Sequence, residues 1–171
     1  MSYKTFCLIE VDNLLMANGR SLEDYKTMPT PEFDDVIEFE NKLIADELNY
    51  DRTQLGILHA SLVEKLTEEQ HFVYTKIMTS VLSGDGQFYF LYGYGGTGKT
   101  FLWKTLSAAI RSQGKIVLNV ASSGIASLLL PNGKTAHSTF CIPLDINEKS
   151  TCNVTQLSVR AKLLRATSLF I

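Results

Sequence analysis

The chain has 171 residues, 45% of them hydrophobic and 20% charged, with a net charge of −2. That is the composition of a folded chain with a core of its own, and it excludes a disordered tail or a low-complexity linker. No apolar run approaches the ~20 residues of a membrane helix, and Glu10 and Asp12 inside the first apolar segment do not read as a signal peptide.

The charge is unevenly spread. Residues 1–86 hold 7 Lys and Arg against 16 Asp and Glu, whereas residues 87–171 hold 9 against only Asp145 and Glu148. A basic half points to polyanionic partners, nucleotide or nucleic acid; the alternative is that the two halves neutralise each other. Cys7, Cys141 and Cys152 have neither metal nor disulfide spacing and read as free thiols of an intracellular protein.

In chain order, Cys7, Leu8, Val11, Leu14 and Leu15 define one face of a helix over 4–18, closed by Gly19. Pro29-Thr30-Pro31 is a connector. A second helix is expected from Asp34 to Leu48, with Val36, Phe39 and Leu43 as its stripe. Its acidic residues Asp34, Asp35, Glu38 and Glu40 are read as a solvated face. A third helix runs from Thr53 to Leu66 with Leu55, Leu58, Leu62 and Leu66 inward. Thr67-Glu68-Glu69-Gln70 is a capping box that opens a fourth helix, with Val73, Ile77 and Val81 buried and Ser83 to Gly86 as its end.

Phe88 to Tyr92 then reads as a buried strand of a parallel sheet. Gly93-Tyr94-Gly95-Gly96-Thr97-Gly98-Lys99-Thr100 fits G-x-x-x-x-G-K-[ST] at every fixed position. Glycines let such a loop turn its N–H groups onto a phosphate chain. A lysine meets the β- and γ-phosphates, and a Thr hydroxyl can ligate Mg²⁺. The same letters spell the dinucleotide fingerprint G-x-G-x-x-G. That reading expects an acidic residue about 20 positions on, and none occurs between Gln87 and Leu144. A structural glycine loop is the remaining alternative.

A helix from Lys99 to Ser112 follows, with Leu102, Leu106, Ala109 and Ile110 inward, and then a strand from Lys115 to Ala121. Strand, loop, helix and strand predict a right-handed βαβ unit. Ser122 and Ser123 can cap a short helix ended by Pro131 and Gly133. Asp145 to Asn153 is a loop. Leu157, Ala161 and Leu164 mark a last helix bearing Arg160, Lys162 and Arg165, and Ser168 to Ile171 reads as a strand beginning. No carboxylate follows Glu148, so the acidic element that completes a phosphate-loop hydrolase is expected beyond Ile171.

Taken together, LTEEQ, FYFLYGYGGTGKT, VLNVASSGIASLLLPNGKTAHSTFCIP and TSLFI resemble the start of the motor of the petite-integration-frequency family of superfamily 1 DNA helicases, nearest to plant and Helitron-like relatives. The resemblance implies an α/β, RecA-like P-loop NTPase fold: a parallel sheet with flanking helices. It is expected to be incomplete at its C-terminus, with 66–171 as the first part of the motor and 1–65 as an acidic helical extension.

It also implies ATP and Mg²⁺ as cofactors, and 5′-to-3′ movement on single-stranded DNA in repair, recombination and telomere maintenance. The implied location is intracellular, in the nucleus, with an organelle as the alternative; no membrane partner is implied, and oligomeric state is left open. By resemblance, Gln70 reads the adenine, although it fits a plain cap equally well. Gly93, Gly95, Gly96, Thr97, Gly98, Lys99, Thr100 and Phe101 hold the phosphates, with Lys99 and Thr100 as the catalytic pair and Thr100 as the Mg²⁺ ligand.

Ser123, Gly124, Ile125 and Ala126, then His137, Ser138 and Phe140, correspond to DNA-contacting segments. Ser123 stands where the family usually has Thr, so the hydroxyl is kept. The serines also read as caps, Phe140 as core and His137 as a structural hydrogen-bonder. The expected behaviour is that of a fragment, binding nucleotide weakly without useful turnover or unwinding. Two alternatives are a non-enzymatic truncated product and another phosphate-loop enzyme such as a small-molecule kinase. The kinase would need an arginine-rich lid and an acceptor pocket, and neither appears in the sequence.

Overall fold

A computed structural model describes residues 3–31, 42–156 and 158–171. The expected residues Val36, Phe39, Asp34, Asp35, Glu38, Glu40 and Leu157 lie outside these. By contacts the chain divides into two compact units, Met1–Glu47 with Thr135–Ala166, and Leu48–Lys134 with Thr167–Ile171.

In the first unit, α1 spans Tyr3–Ala17. Gly19 is left-handed (φ 73°), and the Arg20 N–H bonds back to Leu15 O at 3.0 Å, closing the helix as its sequence predicts. The buried face is not the predicted one. Ile9 is the buried residue, whereas Cys7, Val11 and Leu14 are exposed. Asp12 decides this: its carboxylate accepts from Leu22 N–H (2.7 Å) and Ser21 Oγ (3.1 Å), folding the 3₁₀ turn Leu22–Asp24 onto that side. Residues 42–48 form α2, with Leu43 half-buried. α7, Ala136–Phe140, and α8, Val159–Ala166, complete this unit. In α8 the buried residues are Ala161 and Leu163, so the stripe lies one position from the expected Leu164.

The second unit holds α3 (Arg52–Val63), α4 (Glu68–Ser83), α5 (Lys99–Ser112), α6 (Gly124–Ser127) and the strands β1 (Ile116–Leu118), β2 (Val120–Ala121) and β4 (Thr167–Phe170), with β3 (Lys134–Thr135) at its boundary. α5 is its axis. Leu102, Leu106, Ala109 and Ile110 are buried as expected, against Ile77 and Met78 of α4 and Val117 of β1. α3 lies along α5 with Leu55, His59 and Leu62 half-buried and Leu58 exposed, a shift of its expected face. α4 begins at Thr67 with a complete capping box and ends at left-handed Gly84, as predicted. β4 pairs in parallel with β1, Val117 opposite Leu169.

The strand expected at Phe88–Tyr92 is not formed. Among the described residues, no backbone hydrogen bond joins 86–92 to another segment. Tyr89 and Leu91 pack on the core, while Phe88, Phe90 and Tyr92 are exposed. The run is apolar on both faces but only one is covered, and without a neighbour to ladder with it stays extended and unpaired. The expected βαβ unit over 88–121 therefore has its loop and helix but not its first strand, and its second strand, expected as Lys115–Ala121, is split at Asn119 into β1 and β2, which belong to different sheets. The parallel pairing observed is β1 with β4.

A polar cluster fixes the chain after β1. Asn119 is buried and donates from Nδ2 to Pro131 O (2.6 Å), while Ser107 Oγ donates to Asn119 Oδ1 (3.1 Å). Arg111, also buried, donates to Val117 O (2.9 Å) and Pro131 O (3.2 Å), and its guanidinium lies 4.5 Å from the Tyr50 ring centroid. Together they hold the turn at 128–133 on α5.

Candidate nucleotide site

The loop Gly93–Gly98 leads into α5, and its shape follows from two left-handed residues, Gly96 (φ 81°) and Gly98 (φ 79°). A side chain at either would strain the backbone. At Gly98 a Cβ would also lie 2.5 Å from Gln70 Nε2. Gly98 is the N-cap of α5, and the first helical bond runs from Leu102 N–H to Gly98 O (3.1 Å). The N–H groups of Lys99, Thr100 and Phe101 precede that bond and have no place in the helical ladder. No acidic residue occupies the first turn, so the positive end of a 14-residue helix meets the loop unopposed.

Lys99 Nζ curls over the loop. It donates to Gly93 O (2.6 Å), Tyr94 O (2.8 Å) and Thr97 Oγ1 (3.4 Å), and Thr97 Oγ1 donates to Tyr94 O (2.9 Å). The ammonium thus sits at the centre of the ring of backbone that a phosphate chain would occupy.

Gln70 completes the predicted cap and makes a second bond that the cap does not require. Its Oε1 accepts from Thr67 N–H (3.1 Å), completing the cap, and its Nε2 donates across to Thr97 O (3.2 Å). The residue is therefore a cap of α4 and at the same time a tie between that helix and the phosphate loop. The arrangement places the Gln70 amide beside Gly98.

A groove of about 1010 Å³ opens beside the loop, lined by Lys99, Thr100, Trp103, Lys76, Tyr89 and Leu169 among others. Trp103 and Lys76 were not singled out from the sequence. Trp103 follows Lys99 by one helical turn, and it is the only tryptophan in the chain, a signal that could have found it. The glycine loop, the free helix N-terminus and Lys99 fit the triphosphate of ATP. Mg²⁺ fits less well: Thr100 offers one hydroxyl, and among the described residues no Asp or Glu lines the groove.

The sequence-matched DNA segments divide between the units. In the second, Ser123 caps α6 by accepting from Ala126 N–H (3.2 Å), while Gly124 opens the helix and Ile125 is exposed. In the first, Thr135 caps α7 by accepting from Ser138 N–H (3.2 Å), His137 and Ser138 are exposed and Phe140 is half-buried. Thr139, rather than Phe140, is the buried residue of α7.

A family model described as PIF1-like helicase matches residues 65–171. The chain belongs to the PIF1-like helicase family. The match begins two residues before the Thr67 cap and takes in the phosphate loop, α5 and both polar segments. Membership of a PIF1-like helicase family implies an ATP-dependent helicase that binds nucleotide and nucleic acid. A comparison with curated proteins gave no match.

Proposed function

We propose that this chain is the nucleotide-binding first part of a RecA-like DNA motor, coupling ATP hydrolysis to 5′-to-3′ movement along single-stranded DNA. Residues 66–171 form that part and residues 1–65 an acidic extension. Repair, recombination and telomere maintenance in the nucleus are the processes such a motor serves. The observation that carries the reading is the phosphate loop itself: Lys99 centred over Gly93–Thr97, at an unopposed helix N-terminus and tied to Gln70.

In this reading Gly93, Gly95, Gly96, Thr97, Gly98 and the N–H groups of Lys99 to Phe101 hold the phosphates, and Gln70 meets the base. Ser123, Gly124, Ile125 and Ala126 form one DNA-contacting segment, acting by backbone and hydroxyl groups, and His137, Ser138 and Phe140 form another, acting by hydroxyl contacts and stacking. The 171 residues bind ATP weakly and do not turn it over usefully, because among the described residues no carboxylate lines the groove beside Thr100 to complete an Mg²⁺ site.

Titration of a fluorescent ATP analogue tests the site. Wild-type protein is expected to bind, and Lys99→Ala to lose at least about tenfold in affinity, the worth of one charge-assisted contact to phosphate. Equal binding by the two would remove the loop from the site. Robust DNA-stimulated hydrolysis by the purified chain would contradict the missing-carboxylate argument.

A further inference from the structure

The sequence spacing gave no reason to pair the three cysteines, but the fold of the first unit does. The Asn153 N–H donates to Cys141 O at 3.0 Å, which sets the peptide between Cys152 and Asn153 against the Cys141 carbonyl. With standard backbone dimensions, one such bond brings the two Cα atoms to about 5–7 Å, the span over which a disulfide closes. Cys141 and Cys152 also line the same cavity, of about 700 Å³, with Asp12 and Arg160.

Both thiols are free, Cys152 exposed and Cys141 half-buried, whereas Cys7 is exposed on α1 and lines no part of that cavity. Cys141 is the left-handed C-cap of α7 (φ 52°), and its N–H bonds back to His137 O.

We propose that Cys141 and Cys152 form a reversible disulfide. The reaction uses a small disulfide such as oxidised glutathione as oxidant. The thiolate of exposed Cys152 attacks one glutathione sulfur and expels a glutathione thiolate. The Cys141 thiolate then attacks the Cys152 sulfur and expels the second. The protein loses two electrons and two protons; one glutathione disulfide becomes two thiols. The crosslink closes the loop between α7 and α8 and fixes the α7 C-cap, the segment that carries His137 and Ser138. In a reducing compartment the same pair opens again, as redox-responsive pairs do. The proposal stands apart from the nucleotide reading, since the two sites belong to different units and have different readouts.

The test is equilibration of the purified chain in glutathione buffers of graded ratio, followed by acid quench, alkylation of remaining thiols and peptide mass mapping. The expected result is a Cys141–Cys152 linked peptide with Cys7 alkylated, reversed by dithiothreitol. Pairing should be favoured at least about tenfold more in native buffer than in denaturant, equivalent to about 30 mV. Cys7→Ser should leave that ratio unchanged. Alkylation of all three cysteines under oxidising conditions, separate glutathione adducts, or an equal pairing constant in denaturant would each overturn the proposal.

Discussion

At the scale of single residues, Gln70 carries two bonds that one substitution can separate. Gln70→Glu keeps an oxygen to accept from Thr67 N–H and removes the Nε2 donor that reaches Thr97 O. Helix stability should therefore hold, helped by an added negative charge at the α4 N-terminus, while nucleotide affinity falls several-fold. Gln70→Ala should lower both, with a stability loss of about 1 kcal/mol for the lost cap. Urea midpoints and analogue titration on the two variants read the two effects. A Gln70→Glu protein that binds nucleotide as wild type does would leave the residue a cap alone. Gly98→Ala probes the loop from the other side. A Cβ there is strained by φ 79° and meets Gln70 Nε2, so unfolding stability should drop by about 1–2 kcal/mol.

At the scale of elements, α5 organises the second unit, and Leu106, fully buried in it, is the test position. Leu106→Ala should cost about 2–5 kcal/mol, seen as a lower urea midpoint. α3 is fastened to α4 by His59 Nε2 and Tyr74 OH, 2.7 Å apart with stacked rings. Desolvation lowers the His59 pKa and raises that of Tyr74, so folding favours both neutral forms. For His59 the stability is complete above its unfolded pKa and is lost as pH falls toward the lower folded one. For Tyr74 it is complete below the unfolded pKa and is lost as pH rises through the folded one. Melting temperature should thus decline as pH drops below about 6.5, and His59→Gln should flatten that decline; an unchanged pH profile in the variant would show that another group titrates.

These elements also show what was legible. Caps and closures were, because Thr67, Ser123, Gly19 and Gly84 act on their own backbone neighbourhood. The tight turning of the glycine loop was, because Gly96 and Gly98 set it by local geometry. The inward faces of α1 and α3 and the strand state of Phe88–Tyr92 were not. Those depend on what packs or pairs against them: Asp12 reaching to Leu22, α5 beside α3, and the lack of a ladder partner at 86–92.

At the scale of the whole molecule, the divided charge is the feature to test. Residues 87–171 carry 9 basic and 2 acidic residues, and three of the basic ones, Arg160, Lys162 and Arg165, stand on α8 alone. If the chain grips a single strand through its phosphates, binding must release counterions, and log K must fall linearly with log salt. Each neutralised phosphate contributes a slope of about −0.7 on single strands. An Arg160→Gln, Arg165→Gln double variant should then reduce the slope by as much as ~1.4 and weaken all oligonucleotide sequences alike. Anisotropy of labelled oligonucleotides of different composition across a salt series measures both. A slope unchanged in the variant would take α8 out of the DNA interface. No oligonucleotide binding at any salt would leave the basic half to balance the acidic one, and would favour a phosphate-loop enzyme acting on small molecules over a motor.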